Sequence, residues 1–142
     1  MTHDRGTIHE IEHTADLGIE ATAPDLATLF AVAGEALFAL IADPKTIEIR
    51  ESLAVSGSGS GPEELLHAWL CELLAEFNVN GFVAKSCEIH EITEEQVKGT
   101  IRGEKLDLSR HRFHTEIKGV TYHDFRVWEA DANWHARVIF DV

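Results

Sequence analysis

Two stripes of helical period stand inside a chain whose other apolar residues mostly return every second position, and this contrast most limits the folds open to it. Leu26, Leu29, Phe30, Ala33, Leu37, Leu40 and Ile41 recur at intervals of three and four, as do Leu65, Leu66, Trp69, Leu70, Leu73, Leu74 and Phe77. Asp25, after Pro24, stands where the first helix needs an N-cap, and Asp43-Pro44 stops it. Pro62 takes the first position of the second helix, Glu63 and Glu64 complement the positive end of its dipole, and residues 78–81 close it. Ahead of and between the helices, residues 7–11, 17–23 and 46–55 alternate, the last through Ile47, Ile49, Leu53 and Val55. From Phe82 only strand signals remain: runs at 82–92, 97–108, 116–128 and 134–142, with polar turns at 93–96 and 129–133. Strands joined by short turns pair antiparallel. The expected class is α+β: an antiparallel β-sheet system with two amphipathic helices packed against it, as a single domain over residues 1–142.

With 142 residues, 44% of them hydrophobic, the chain can bury a core without staples. Cys71 and Cys87 lie far apart with no Cys-x-x-Cys, so free thiols in a reducing cytosol are expected, not a zinc site or a disulfide framework. No apolar run reaches membrane-spanning length and no leader is apparent, so the reading is a soluble cytoplasmic protein without membrane contact. Twenty-five acids against 12 bases give a net charge of -13. Tight direct binding of RNA or DNA needs clustered Lys and Arg, and the bases here are scattered. An acidic chain of this kind suits a cation or a basic partner protein. Residues 56–61 alternate Ser and Gly and read as a mobile loop. They lack the phosphate-loop pattern, and the two glutamates that follow would repel an anion.

Three stretches could carry chemistry. Glu12-His13-Thr14-Ala15-Asp16 packs two carboxylates, an imidazole and a hydroxyl between two strand-like runs; this is either a polar turn or a place where Asp16 meets a partner from elsewhere in the chain. The last run alternates His135, Arg137, Ile139 and Asp141 on one face and ends at Val142, whose α-carboxylate would sit beside that of Asp141. Neighbouring carboxylates repel unless a cation lies between them, and with Asp16 added the set is all-oxygen, suited to a hard cation such as Ca²⁺ or Mg²⁺. In the third stretch, Glu116-Ile117-Lys118-Gly119-Val120-Thr121-Tyr122-His123, Lys118 is either a solvated strand lysine or a counter-charge near the carboxylates.

Together these stretches, with the Trp69-Leu70-x-Glu72-Leu73-Leu74 core of the second helix and the terminal Val138-Ile139-Phe140-Asp141-Val142, resemble the archease family over essentially the whole length. The resemblance implies a non-enzymatic accessory protein of an RtcB-type tRNA-splicing RNA ligase, which promotes the ligase's guanylylation and multiple turnover and broadens its nucleotide use. It also implies a divalent cation, Ca²⁺ ahead of Mg²⁺ or Mn²⁺, held by Asp16, Asp141 and Val142, and a partner-activating role for Lys118. Gly119 stands where alanine is typical and Val142 where isoleucine is typical; neither change removes a ligand. Two other readings stay open at this stage: a metal-dependent hydrolase using Asp16 and Asp141 with His13 or His123 as base, and a chaperone of another RNA-modifying enzyme. Self-association into a homo-oligomer is also open.

Overall fold

The computed structural model describes residues 6–13 and 16–142, with the side chains of 6–11 and of 16 onward. Its elements are β1 (Thr7–His13), β2 (Asp16–Ala23), α1 (Leu26–Ile41), β3 (Glu51–Ser58), α2 (Pro62–Asn80), β4 (Phe82–Ile92), β5 (Gln96–Lys105), β6 (Gly119–Val120), β7 (Arg126–Ala130) and β8 (Asn133–Asp141). All the strand pairs are antiparallel, so the α+β expectation holds, but the strands divide into two sheets. One has the order β1-β2-β8-β6, with β7 also on β8; the other runs β3-β5-β4. The strands from the two ends of the chain, β2 and β8, therefore lie side by side within one sheet.

Asp25 caps α1, its carboxylate accepting from the Thr28 N–H at 2.8 Å. The helix is buried more widely than one stripe: Ala31, Val32, Ala36 and Phe38 are as enclosed as Leu29 and Leu37, because α1 packs on β4 of one sheet and β2 of the other and touches α2 as well. In α2 the expected stripe is buried from Leu65 to Leu74, with Phe77 half-buried at its edge. Trp69, fully enclosed, donates its indole N–H to the Phe30 carbonyl at 3.1 Å and so joins the two helices. Gly81 ends α2 with φ 68, a left-handed conformation that glycine adopts most readily, and its N–H returns to the carbonyls of Glu76 and Phe77. Among the described residues no helix is long and apolar enough to cross a membrane.

Four local expectations are corrected. The strand expected at 46–55 starts later: residues 44–46 form a 3₁₀ turn and Ile49 is 54% exposed. Residues 47–50 are held differently, with the Glu48 N–H given to the Glu104 carboxylate at 2.7 Å. The Ser/Gly run is no loose loop. Ser56, Gly57 and Ser58 continue β3 opposite Lys98, Val97 and Gln96, and a Cβ on Gly57 would come within 3.3 Å of Ala68 and Trp69, so the small residues let α2 lie close on the strand.

The run at 116–128 is interrupted because its length does not match its partner. Val120 lies opposite Phe140 and Arg126 opposite Arg137, so the five residues 121–125 stand against two, Val138 and Ile139. The excess lifts away in a turn that places Asp124 at φ 54 and joins the Phe125 N–H to the Tyr122 carbonyl at 3.2 Å. The turn between β7 and β8 is tighter than expected. Asp131 and Ala132, at φ 56 and 63, form its two central residues, the left-handed pair that matches the twist of a hairpin.

Candidate functional site

The faces of β2 and β8 differ in chemistry. Ile19, Ala21, Val138 and Phe140 are buried on the helix side, while Asp16, Glu20, Thr22 and their partners project from the other. That outer face is a ladder of cross-strand pairs, and most of its rungs are complementary. Thr22 meets His135, with Oγ1 3.1 Å from Nδ1, and the other ring nitrogen lies 3.1 Å from the Ala130 carbonyl, so Nε2–H donates there and Nδ1 accepts from the hydroxyl. Glu20 meets Arg137 at 3.0 Å. Gly18 meets Ile139, and then Asp16 meets Asp141.

This last rung sets like charge against like. Side chains directly opposite in an antiparallel pair have Cβ atoms about 4.5–5.5 Å apart, and like charges there are destabilising. Asp16 is half-buried and Asp141 exposed, and neither carboxylate has an ion-pair partner among the described residues. The rung continues sideways: His13 is the register partner of Asp16 on β1, and Gly119 that of Asp141 on β6. A Cβ on Gly119 would stand 3.5 Å from the Asp141 Oδ2, an ordinary contact, so this flank is open without demanding glycine. Next to it, the Lys118 N–H donates to the Asp141 carbonyl at 2.8 Å, and the Lys118 side chain is exposed. Val142 follows at 39% exposure. Asp16, Asp141, Val142 and Lys118, drawn from opposite ends of the chain and from the 116–123 stretch, are thus brought to one end of one sheet.

Two opposed carboxylates at this spacing can converge on a hard cation, whose oxygen ligands stand about 2.3–2.6 Å away, and the exposure of Asp141 leaves an entry path. Among the described residues no three His, Cys, Asp or Glu side chains share one point, so remaining ligands would come from main-chain oxygens and water. The two bases considered at the sequence level fare differently. The side chain of His13 lies outside the described residues. His123 is exposed and turned to Asp124, its Nε2 3.4 Å from Oδ2.

A cavity of about 640 Å³ lies elsewhere, over Glu104, Asp107 and Arg110. Sequence reading did not find this cluster, since nothing in the spacing marks Glu104 as buried. Its carboxylate accepts from Arg110 Nη2 at 2.6 Å, the Glu48 N–H at 2.7 Å and His111 Nε2 at 2.8 Å, and Arg50 Nε stands 3.1 Å away as an ion pair. The Arg110 hydrogen bond leads in holding this carboxyl down at about 2, against the cost of burial. The cluster satisfies itself, tying residues 48–50 and 107–111 to β5.

The fold is one shared with solved archease structures, and the chain belongs to the archease family: residues 9–142 match the Archease protein family (MTH1598/TM1083). The archease of Methanopyrus kandleri is 38% identical over 136 residues, covering 94% of this chain and 97% of that protein. That of Pyrococcus abyssi is 35% identical over 135 residues, covering 92% and 95%. The solution structure of Methanobacterium thermoautotrophicum protein 1598 superposes with a TM-score of 0.78 at 29% identity, covering 95% of this chain and 98% of that one. The crystal structure of the Thermotoga maritima archease shares the fold, with a TM-score of 0.67 at 20% identity and full coverage of both chains.

Proposed function

We propose that this protein is a non-enzymatic activator of an RtcB-type tRNA-splicing RNA ligase, which promotes the ligase's guanylylation and multiple turnover and broadens the nucleotides it accepts. The observation that carries the reading is the Asp16–Asp141 rung, without a counter-charge among the described residues, with the Lys118 backbone hydrogen-bonded beside it, in a chain of the archease family. Asp16, Asp141 and Val142 are the proposed ligands of a divalent cation, Ca²⁺ ahead of Mg²⁺ or Mn²⁺. When bound, such a cation supplies positive charge at an otherwise acidic surface. Lys118 adds a second positive group at the same end of the sheet, where both can meet nucleotide phosphates or carboxylates of the ligase. The Thermotoga maritima archease is described as a possible chaperone, which accords with a protein that acts on another protein.

The test is guanylylation and multiple-turnover ligation by a cognate ligase, with and without this protein. Stimulation is expected from the wild type, and little from Asp16→Ala, Asp141→Ala, Lys118→Ala or a chain extended beyond Val142. Lys118→Ala should retain the cation. The protein alone should transfer no nucleotide and should not bind bare RNA tightly at physiological salt. Absence of stimulation by the wild type overturns the reading.

A further inference from the structure

The backbone next to Lys118 is held weakly by its own sheet. β6 meets β8 at two rungs, Gly119 opposite Asp141 and Val120 opposite Phe140, and so short a strand gains little from its ladder. The Thr121 N–H reaches the Ile139 carbonyl at 3.0 Å, so Val120 is in the wide pair of the ladder and its own carbonyl points away from β8. On that open side stands His67, from the first half of α2, with Nε2 2.9 Å from the Val120 oxygen.

The rest of the imidazole's surroundings fix which nitrogen carries the proton. Nδ1 lies 3.6 Å from the Cys71 sulfur, one helical turn along. Burial, reinforced by Glu72, pushes the Cys71 thiol up, so it stays protonated and donates to Nδ1, which leaves the ring proton on Nε2 aimed at Val120. The Tyr122 ring lies flat on the imidazole, centroids 3.8 Å apart and 10° from parallel, and the Phe125 ring closes edge-on at 5.4 Å. One side chain of α2 therefore grips the 120–125 segment by a hydrogen bond and two ring contacts.

We propose that His67 is a positioning residue, which holds β6 against β8 through Val120 and Tyr122 and so keeps Lys118 beside Asp141. The proposal deepens the reading of Asp16, Asp141 and Lys118 as an activating site and rests on it. The Asp16–Asp141 rung itself is set by β2 and β8 and does not depend on His67.

Amide hydrogen exchange on the whole protein tests the positioning without the ligase. In His67→Ala the Lys118 and Thr121 amides should exchange roughly tenfold faster, the order expected for one lost hydrogen bond, while β2 amides and Ca²⁺ affinity stay as in the wild type. His67→Gln keeps a donor near the place of Nε2 and should restore protection; His67→Phe keeps only the ring and should not. Exchange within twofold of wild type in His67→Ala, an equal rise in β2, or full protection by His67→Phe overturns the proposal. In the ligase assay, stimulation should fall about tenfold with Ala and Phe and return with Gln. Unchanged stimulation across all three removes the functional role of His67, whereas a Lys118→Ala that stimulates as well as the wild type removes the site reading and leaves the exchange result to stand or fall alone.

Discussion

The two carboxylate clusters of this protein are built on opposite plans. Glu104 is 2% exposed and surrounded by Arg110, Arg50, His111 and the Glu48 amide, so its charge is answered from within the chain. Asp16 and Asp141 lie near solvent, face each other, and find no counter-charge among the described residues, although Glu20 and Arg137, on the same face of the same two strands, form an ordinary ion pair at 3.0 Å. A sheet that can place Arg opposite Glu can do so elsewhere, so the Asp16–Asp141 rung costs stability that a different residue would recover. Removing the carboxylate should therefore have opposite signs at the two places: a loss of stability at Glu104, a gain at Asp16 or Asp141. The contrast separates a carboxylate that serves the fold from one left for something outside it.

The largest expected effect tests that separation directly. Asp141→Asn should weaken Ca²⁺ binding by about a hundredfold or more, about 2.7 kcal/mol, in calorimetric titration, while Glu104→Gln leaves it unchanged. Equal affinity in wild type and Asp141→Asn would erase the distinction between the clusters. Next in size, Glu104→Gln should lower the stability to urea by about 2 kcal/mol with an unaltered m-value, since Arg110, Arg50 and His111 lose the negative charge and one of the two accepting oxygens they share, but the arginines keep some access to water.

Acid sharpens the same point. The Glu104 carboxyl is held at about 2 against an ordinary 4.5, so its contribution is fully present above about pH 4.5 and is lost as the pH falls toward 2. Urea titrations down that range should show wild type and Glu104→Gln converging. The smallest effect has the opposite sign: without metal, Asp16→Asn should raise stability by about 0.2–1 kcal/mol, because it relieves the repulsion across the rung. A destabilised Asp16→Asn would show that the pair is held by internal contacts after all.

The elements with local chemistry were legible in the sequence. Asp25 and Pro24 mark the start of α1, Pro62 that of α2, and Gly81 its end, because caps, prolines and left-handed glycines act through the backbone of their own segment. The site residues were picked out through the family resemblance, and Asp16, Asp141 and Val142 also through their charge. Where local reading failed, a distant partner had overridden the local pattern. The Ser/Gly run has the composition of a loop yet serves as strand, since β5 pairs with it and α2 needs the room. Residues 116–128 alternate like one strand, but β8 offers too few positions to match them.

The sequence by itself determined the two helices, the antiparallel habit of the rest, the acidic balance and the identity of the groups at the candidate site. Only the tertiary structure decided that β2 and β8 would be neighbours, in a register that sets Asp16 against Asp141, that Gly119 and Lys118 would flank them, and that Glu104 and His67 would be anchors. The physical reason is range. Hydrogen bonding and steric preference between neighbours along the chain select a helix, a cap or a turn, whereas which strands meet, and in which register, follows from burying both sheets and both helices around one core.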